Sequence, residues 1–128
     1  MIKNRALGHI GLAVTDLEAA VNWYVETLGF EVIGRFQTGE GVPICFIKSG
    51  DIVYEVFQPL NGPVAPGKID HFCFVSEDIE ADYRYCVEKG YSFEKEGIQS
   101  LPTLWERGVR FFKIMSPTGE AVEFCQIL

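Results

Sequence analysis

The sequence predicts an α+β chain made of two βαβββ modules, on three observations. The first is a repeat: Gly8-His9-Ile10-Gly11-Leu12-Ala13-Val14, followed by Thr15-Asp16-Leu17-Glu18-Ala19-Ala20, is echoed by Asp70-His71-Phe72-Cys73-Phe74-Val75 and then Ser76-Glu77-Asp78-Ile79-Glu80-Ala81. In each copy a histidine sits in a β-like run, an aspartate follows seven residues later, and a glutamate two positions beyond opens a helix. The second is the common ending of the copies, Gly50-Asp51-Ile52-Val53-Tyr54-Glu55-Val56-Phe57 and Gly119-Glu120-Ala121-Val122-Glu123-Phe124-Cys125. Histidine and closing glutamate are 46 residues apart in the first copy and 52 in the second. The third is histidine usage: the chain has 2, at the same place in each copy.

Taken in order, His9 to Val14 reads as a buried strand. Asp16 supplies an N-cap, and Glu18 in the first turn complements the helix dipole. Leu17, Ala20, Val21, Tyr24, Val25 and Leu28 then recur on one helical face, and Gly29 stops the helix. Phe30 to Gln37 reads as a strand, Thr38 to Gly41 as a turn, and Pro43 to Lys48 as the next strand. Ser49-Gly50-Asp51 turns the chain into a strand from Ile52 to Gln58. Module one is residues 6–58, a Pro/Gly-rich linker covers 59–69, and module two is residues 70–128. The second module repeats the order: strand Asp70 to Val75, then a helix from Ile79 to Lys89 stopped by Gly90. A strand is expected from Tyr91 to Ile98 and a loop carrying Trp105 from Gln99 to Gly108. Strands from Val109 to Met115 and Ala121 to Ile127 close the module around a Ser116-Pro117-Thr118-Gly119 turn.

At 128 residues the chain fits one compact domain, and 48% hydrophobic with 13% aromatic content is globular. Each half alone has too small a core, so the halves must pack together or against another chain. With 18 acidic against 11 basic residues, a net charge of −7 and no basic cluster, nucleic acid and anionic membrane surfaces are poor partners. Lys3 and Arg5 precede no apolar leader-like run, and no stretch reaches membrane-spanning length. Cys45, Cys73, Cys86 and Cys125 show no CxxC spacing and read as reduced, buried thiols, so a cytoplasmic protein is expected.

Strand parity brings the chemistry together. Alternate residues of a strand share a face. His9 shares its face with Gly11 and Ala13, Glu55 with Val53 and Phe57, His71 with Cys73 and Val75, and Glu123 with Ala121 and Cys125. The opposite faces are apolar enough to lie under the helices, so the four polar side chains project from the helix-free side among small neighbours that leave room for a cavity. A glutamate between Tyr54 and Val56, and another between Val122 and Phe124, is costly to hold ionised without a partner. Two such glutamates with two histidines make a two-nitrogen, two-oxygen site for one divalent metal, Zn, Ni, Co or Mn.

These residues resemble the vicinal oxygen chelate superfamily, which includes glyoxalase I, methylmalonyl-CoA epimerase, extradiol dioxygenases, fosfomycin-resistance and bleomycin-binding proteins. The resemblance covers essentially the whole chain and implies two βαβββ modules whose mixed sheets curl around a shared cavity, the glyoxalase/bleomycin-resistance fold. The order His9, Glu55, His71, Glu123 is similar to glyoxalase I, the lactoylglutathione lyase, and Ser116-Pro117-Thr118-Gly119 resembles that family's Asp-Pro-(Asp/Glu)-Gly turn. The dioxygenase and fosfomycin branches use one carboxylate, the epimerases typically carry a glutamine in the first half, and the bleomycin-binding members lack the ligands. Ala13 and Pro59 stand where short bacterial glyoxalases carry an Arg and an Asn that contact glutathione, leaving no carboxylate clamp for that thiol.

The reading implied is a metal-dependent lyase or isomerase that works through an enediolate on a small hydroxycarbonyl or thiol-adduct substrate. The cation holds two adjacent substrate oxygens while a glutamate moves the α-proton, Glu123 by resemblance and Glu55 as its symmetric second. The alternatives are a methylmalonyl-CoA epimerase-like enzyme and a non-catalytic module that sequesters a small molecule. Relatives place the metal within one chain or across a homodimer, and a homodimer is expected here to cover edge strands. Lys48, Arg110 and Lys113 on strands are candidates for meeting an anionic group, and Trp105 for capping a ligand. Cys73 and Cys125 are read as small cavity-lining residues, with metal ligation as the other option.

Overall fold

A computed structural model describes residues 2, 5–65, 69–117 and 120–128. Lys3, residues 66–68 of the expected linker and the Thr118-Gly119 corner lie outside the described residues. The first module is β1 (Leu7–Ala13), α1 (Leu17–Leu28), β2 (Glu31–Gln37), β3 (Pro43–Ser49) and β4 (Ile52–Phe57). The second is β5 (Ile69–Val75), α2 (Ile79–Glu88), β6 (Gln99–Leu101), β7 (Val109–Met115) and β8 (Ala121–Ile127).

The helices start and stop where short-range chemistry says they should. Asp16 and Asp78 each accept a hydrogen bond from the backbone N–H three residues on, at 3.0 Å in both cases. Gly29 (φ 70°) and Gly90 (φ 69°) take the left-handed backbone just past the two C-termini. A further symmetry ties helix to sheet. Gln58 Oε1, just after β4, accepts from Leu17 N–H at 3.0 Å, and Gln126 Oε1 in β8 accepts from Ile79 N–H at 3.1 Å. Each helix N-terminus is thereby pinned to the strand that carries its module's glutamate.

All eight strands form one mixed sheet in the order β2-β3-β4-β1-β5-β8-β7-β6, curled into a half-barrel. Within the modules β1 runs parallel to β4 and β5 parallel to β8, and the modules join through the antiparallel pair β1·β5. The convex face carries the helices. Leu17, Val21, Cys45, Ile47 and Val56 fill the core beneath α1, and Ile79, Cys86, Phe112 and Phe124 the core beneath α2. A third cluster, with Ile44, Phe46, Leu104 and Val109 at its centre, fills part of the concave side. Thr103 Oγ1 in the β6–β7 loop donates to the Gln37 carbonyl at 2.5 Å, joining the second module to the end of β2 in the first.

One expected element differs. Tyr91 to Ile98 is not a strand: Phe93 alone bridges to Ile114, its ring against the core beneath α2, while Glu94, Lys95 and Glu96 turn to solvent. Gly97 (φ 88°) then redirects the chain, its N–H bonded to the Tyr83 hydroxyl oxygen at 2.9 Å. The outer strand is Gln99–Leu101, inside the stretch expected to be loop, because Gln99 and Leu101 find partners in Phe111 and Val109.

Candidate metal centre

The register of the four central strands assembles the site. Gly11 of β1 stands opposite Glu55 in the parallel pair and opposite His71 in the antiparallel one. Cys73 of β5 stands in the same way opposite Glu123 and His9. His9, Glu55, His71 and Glu123 therefore converge from β1, β4, β5 and β8 onto one patch of the concave wall, all from one chain.

The facing atoms are close. His9 Nε2 and His71 Nε2 are 3.0 Å apart. His9 Nε2 lies 3.7 Å from Glu55 Oε2 and 3.5 Å from Glu123 Oε1. His71 Nε2 lies 3.5 Å from Glu55 Oε1 and 3.4 Å from Glu123 Oε2. Donor atoms bound to one cation at about 2.1 Å stand about 3.0–3.4 Å from their neighbours in octahedral or tetrahedral geometry. The observed spacings, 3.0 to 3.7 Å, begin in that range and run slightly beyond it. His9, Glu55 and His71 each offer an atom within 4.8 Å of the others, with Glu123 beside both imidazoles. Two imidazoles with two carboxylates suit a borderline divalent cation. The residues present fit the group.

Electrostatics points the same way. Burial, then the neighbouring Glu123, pushes the Glu55 carboxyl up to about 7, and burial also raises Glu123. Burial, with His71 and Lys113 adding to it, pushes His9 down to about 3. His71 moves upward although burial opposes it, because its bond to Asp70 and the two glutamates favour the charged ring. Asp70 Oδ2 sits 2.7 Å from His71 Nδ1. That contact holds a proton on Nδ1 and leaves Nε2 as the atom that faces His9, Glu55 and Glu123.

The two halves are not equivalent. Glu55 has Gly11 and Phe46 as cross-strand neighbours, whereas Glu123 has Cys73 and Lys113. A Cβ on Gly11 would fall 2.2 Å from His71 Cε1, so the bare glycine is what admits the imidazole. Cys73 fills the matching place beside His9, and its sulfur groups with a His9 nitrogen and a Glu123 oxygen, all within 4.8 Å of one another. Hydrogen bonding to Cys125 and burial raise the Cys73 thiol strongly, which keeps its proton on sulfur.

Of the residues expected to meet a substrate, Lys113 and Trp105 line the cavity of about 560 Å³ that opens onto the centre. Lys48 and Arg110 do not. Arg110 alternates with Val109 and Phe111, so it points to the helix side and pairs with Glu80 at 2.5 Å. Lys48 has the parity of Ile44 and Phe46 but lies exposed near the end of β3. Asp70 and Gly11 escaped the sequence reading. Asp70 has no equivalent in the first copy, where Gly8 precedes His9, so the repeat itself drew attention away from it.

Two further features bear on the expectations. The described cysteines are free thiols. Among the described residues no helix is long and apolar enough to cross a membrane.

Residues 8–111 match the model of the Glyoxalase/Bleomycin resistance protein/Dioxygenase superfamily. The chain is 31% identical over 127 residues to "Uncharacterized protein YwbC" of Bacillus subtilis (strain 168), covering 95% of this chain and 98% of that one. It is 38% identical over 85 residues to the ethylmalonyl-CoA/methylmalonyl-CoA epimerase of Cereibacter sphaeroides, covering 59% of this chain and 63% of that one. The crystal structure of methylmalonyl-CoA epimerase from Mycobacterium tuberculosis shares the fold, with a TM-score of 0.77 at 19% identity over 100% of this chain and 93% of that one. With the family model matched over most of its length, this chain belongs to the Glyoxalase/Bleomycin resistance protein/Dioxygenase superfamily.

Proposed function

We propose that this chain is a metal-dependent enzyme of the epimerase kind, which removes and returns a proton at a carbon next to a carbonyl. The observation that carries this is the convergence of His9, Glu55, His71 and Glu123 on the wall of a cavity large enough for a small substrate. The similarity to an epimerase of named activity supports it over the glyoxalase I reading. The lyase/isomerase reading remains second, favoured by a glutamate at position 55 where the epimerases typically carry glutamine.

A bound divalent cation, Zn, Ni, Co or Mn, would supply Lewis acidity that offsets negative charge developing on two adjacent substrate oxygens. The chain's own residues do the rest. His9 and His71 would hold that cation through nitrogen, His71 oriented by its contact with Asp70. Glu55 and Glu123, one from each module, are the proton carriers: one takes the α-proton and the other returns it, so that the configuration at carbon inverts. Two carboxylates from equivalent places in a repeat suit a reaction whose forward and reverse steps are mirror images. The apolar cavity wall keeps bulk water from competing for the proton.

The test uses the relative's named substrates. Metal-loaded protein in D2O is expected to exchange the α-proton of ethylmalonyl-CoA or methylmalonyl-CoA for deuterium, and chelation to stop the exchange. Isomerisation of a hemithioacetal without that exchange would favour the lyase reading. Ligand affinity unchanged by chelation, with no turnover, would favour a non-catalytic binding module.

A further inference from the structure

The cavity wall carries information about what fits beside the centre. Phe46 stands edge-on to His9 with ring centres 5.5 Å apart, and Trp105 packs on Phe46 at 4.9 Å and on Phe36 at 4.8 Å. A continuous run of rings thus leads from a metal-facing imidazole to the β6–β7 loop. Trp105 is the one described non-glycine residue with positive φ, at 56°. Such a backbone persists only where its surroundings enforce it. Here they do: Thr103 is bonded to the Gln37 carbonyl, and a Cβ on Gly108 would come 2.8 Å from Pro102 Cα. Gly34 clears the space beside these rings, since a Cβ there would fall 2.5 Å from the Phe36 ring and 3.1 Å from the indole.

Charge narrows the choice further. Among the described residues Lys113 is the one cation on the cavity wall, with Nζ 3.7 Å from Asp70 and 3.6 Å from Glu94 and in register with Glu123. Its charge is matched before a ligand arrives. Arg110 is turned to Glu80 and Arg35 to Glu18. Away from the cation of the proposed centre, a carboxylate on a substrate would find no uncommitted cation among the described residues of this wall.

We infer that the site takes a neutral compound with two adjacent oxygens and an aryl or bulky hydrocarbon group beside them, the group lying against Trp105 and Phe46, in preference to a carboxylated acyl group. This rests on the metal centre proposed above and ranks such a compound above the epimerase relatives' substrates, whose exchange still tests that centre.

Three hydroxamates with the same two-oxygen head test it on zinc-loaded protein: acetohydroxamate, benzohydroxamate and malonic acid monohydroxamate. Trp23, exposed on α1, is replaced (Trp23→Phe) so that Trp105 is the single tryptophan, excited selectively over the tyrosines. Benzohydroxamate is expected to bind at least tenfold more tightly than acetohydroxamate, from the apolar area its ring buries, and to change Trp105 emission. The carboxylated probe is expected to bind no more tightly than acetohydroxamate. By calorimetry, Trp105→Ala is expected to remove most of the benzohydroxamate advantage while leaving acetohydroxamate unchanged, which also shows that the variant is folded. Equal affinity of the first two probes, or tightest binding of the carboxylated one, overturns the inference and leaves the metal centre standing. Failure of all three to bind, or of zinc to be held, overturns both.

Discussion

Gly11 and His71 face each other across the seam between the modules, and the space a side chain would take at Gly11 is filled by the His71 imidazole. Any β-carbon at position 11 must displace a ring that faces Glu55 and Glu123 at 3.5 and 3.4 Å. Gly11→Ala is therefore expected to cost about 1–3 kcal/mol of stability through overpacking. It should weaken cation binding more than a comparable change elsewhere in β1. Thermal unfolding and chelator competition measure the two effects; an unchanged cation affinity would show that His71 does not need that place.

Asp70 acts on the centre through His71. Its Oδ2 lies 2.7 Å from Nδ1, so the carboxylate sets which nitrogen faces the other ligands. Asp70→Asn keeps the shape and removes the charge. A loss of about 10–100-fold in zinc affinity is expected, since partners behind a ligating histidine carry that much. Zinc competition with a coloured chelator reads it, and a change below twofold would contradict the role.

The metal-free protein has a pH signature. Glu55 is pushed up to about 7 from 4.5, by burial first and Glu123 second. Its proton is thus held by the folded state between those values and released by the unfolded chain. Stability from this group is full below about 4.5 and is lost as pH rises through about 7. His9, pushed down to about 3, works in the opposite sense as pH falls, but it is common to parent and variant. Metal-free Glu55→Gln should accordingly melt roughly 5–10 °C above the parent at pH 8, with the gap closing toward pH 4.5. Parallel melting curves at both pH values would rule out a strained Glu55.

The two glutamates can be separated by isotope. If each serves one epimer, Glu123→Gln abolishes net epimerisation, retains most of the bound cation, and still permits α-proton exchange from one epimer through Glu55. Glu55→Gln should give the complementary pattern. Exchange followed by NMR from each pure epimer decides, and unimpaired epimerisation by Glu123→Gln would remove that residue from the mechanism.

Much of this was legible before the structure because the repeat marks both the modules and the candidate ligands. Alternation alone put His9, Glu55, His71 and Glu123 on the helix-free face, where the structure has them. Alternation also separates Arg110 from Lys113 by an odd step, so only one of the pair could reach the cavity, and Lys113 does. What parity could not supply was pairing: which strands lie side by side, and so that Gly11 meets both His71 and Glu55. The outer strand was misplaced for a related reason. Tyr91 to Ile98 has the composition of a strand, but its charged residues sit at solvent and only Phe93 and Ile98 pack on the core. The likeness to glyoxalase I rested on the order His9, Glu55, His71, Glu123, whereas overall sequence similarity gives more weight to the epimerases.

The most direct measurement is the cation content of the purified protein, by elemental analysis after equilibration with zinc and dialysis. One divalent ion per chain is predicted for the parent, and a loss to near zero in His71→Ala with the fold retained by circular dichroism. A folded parent that holds no stoichiometric ion, or a His71→Ala variant that keeps it, would contradict a centre built by His9, Glu55, His71 and Glu123.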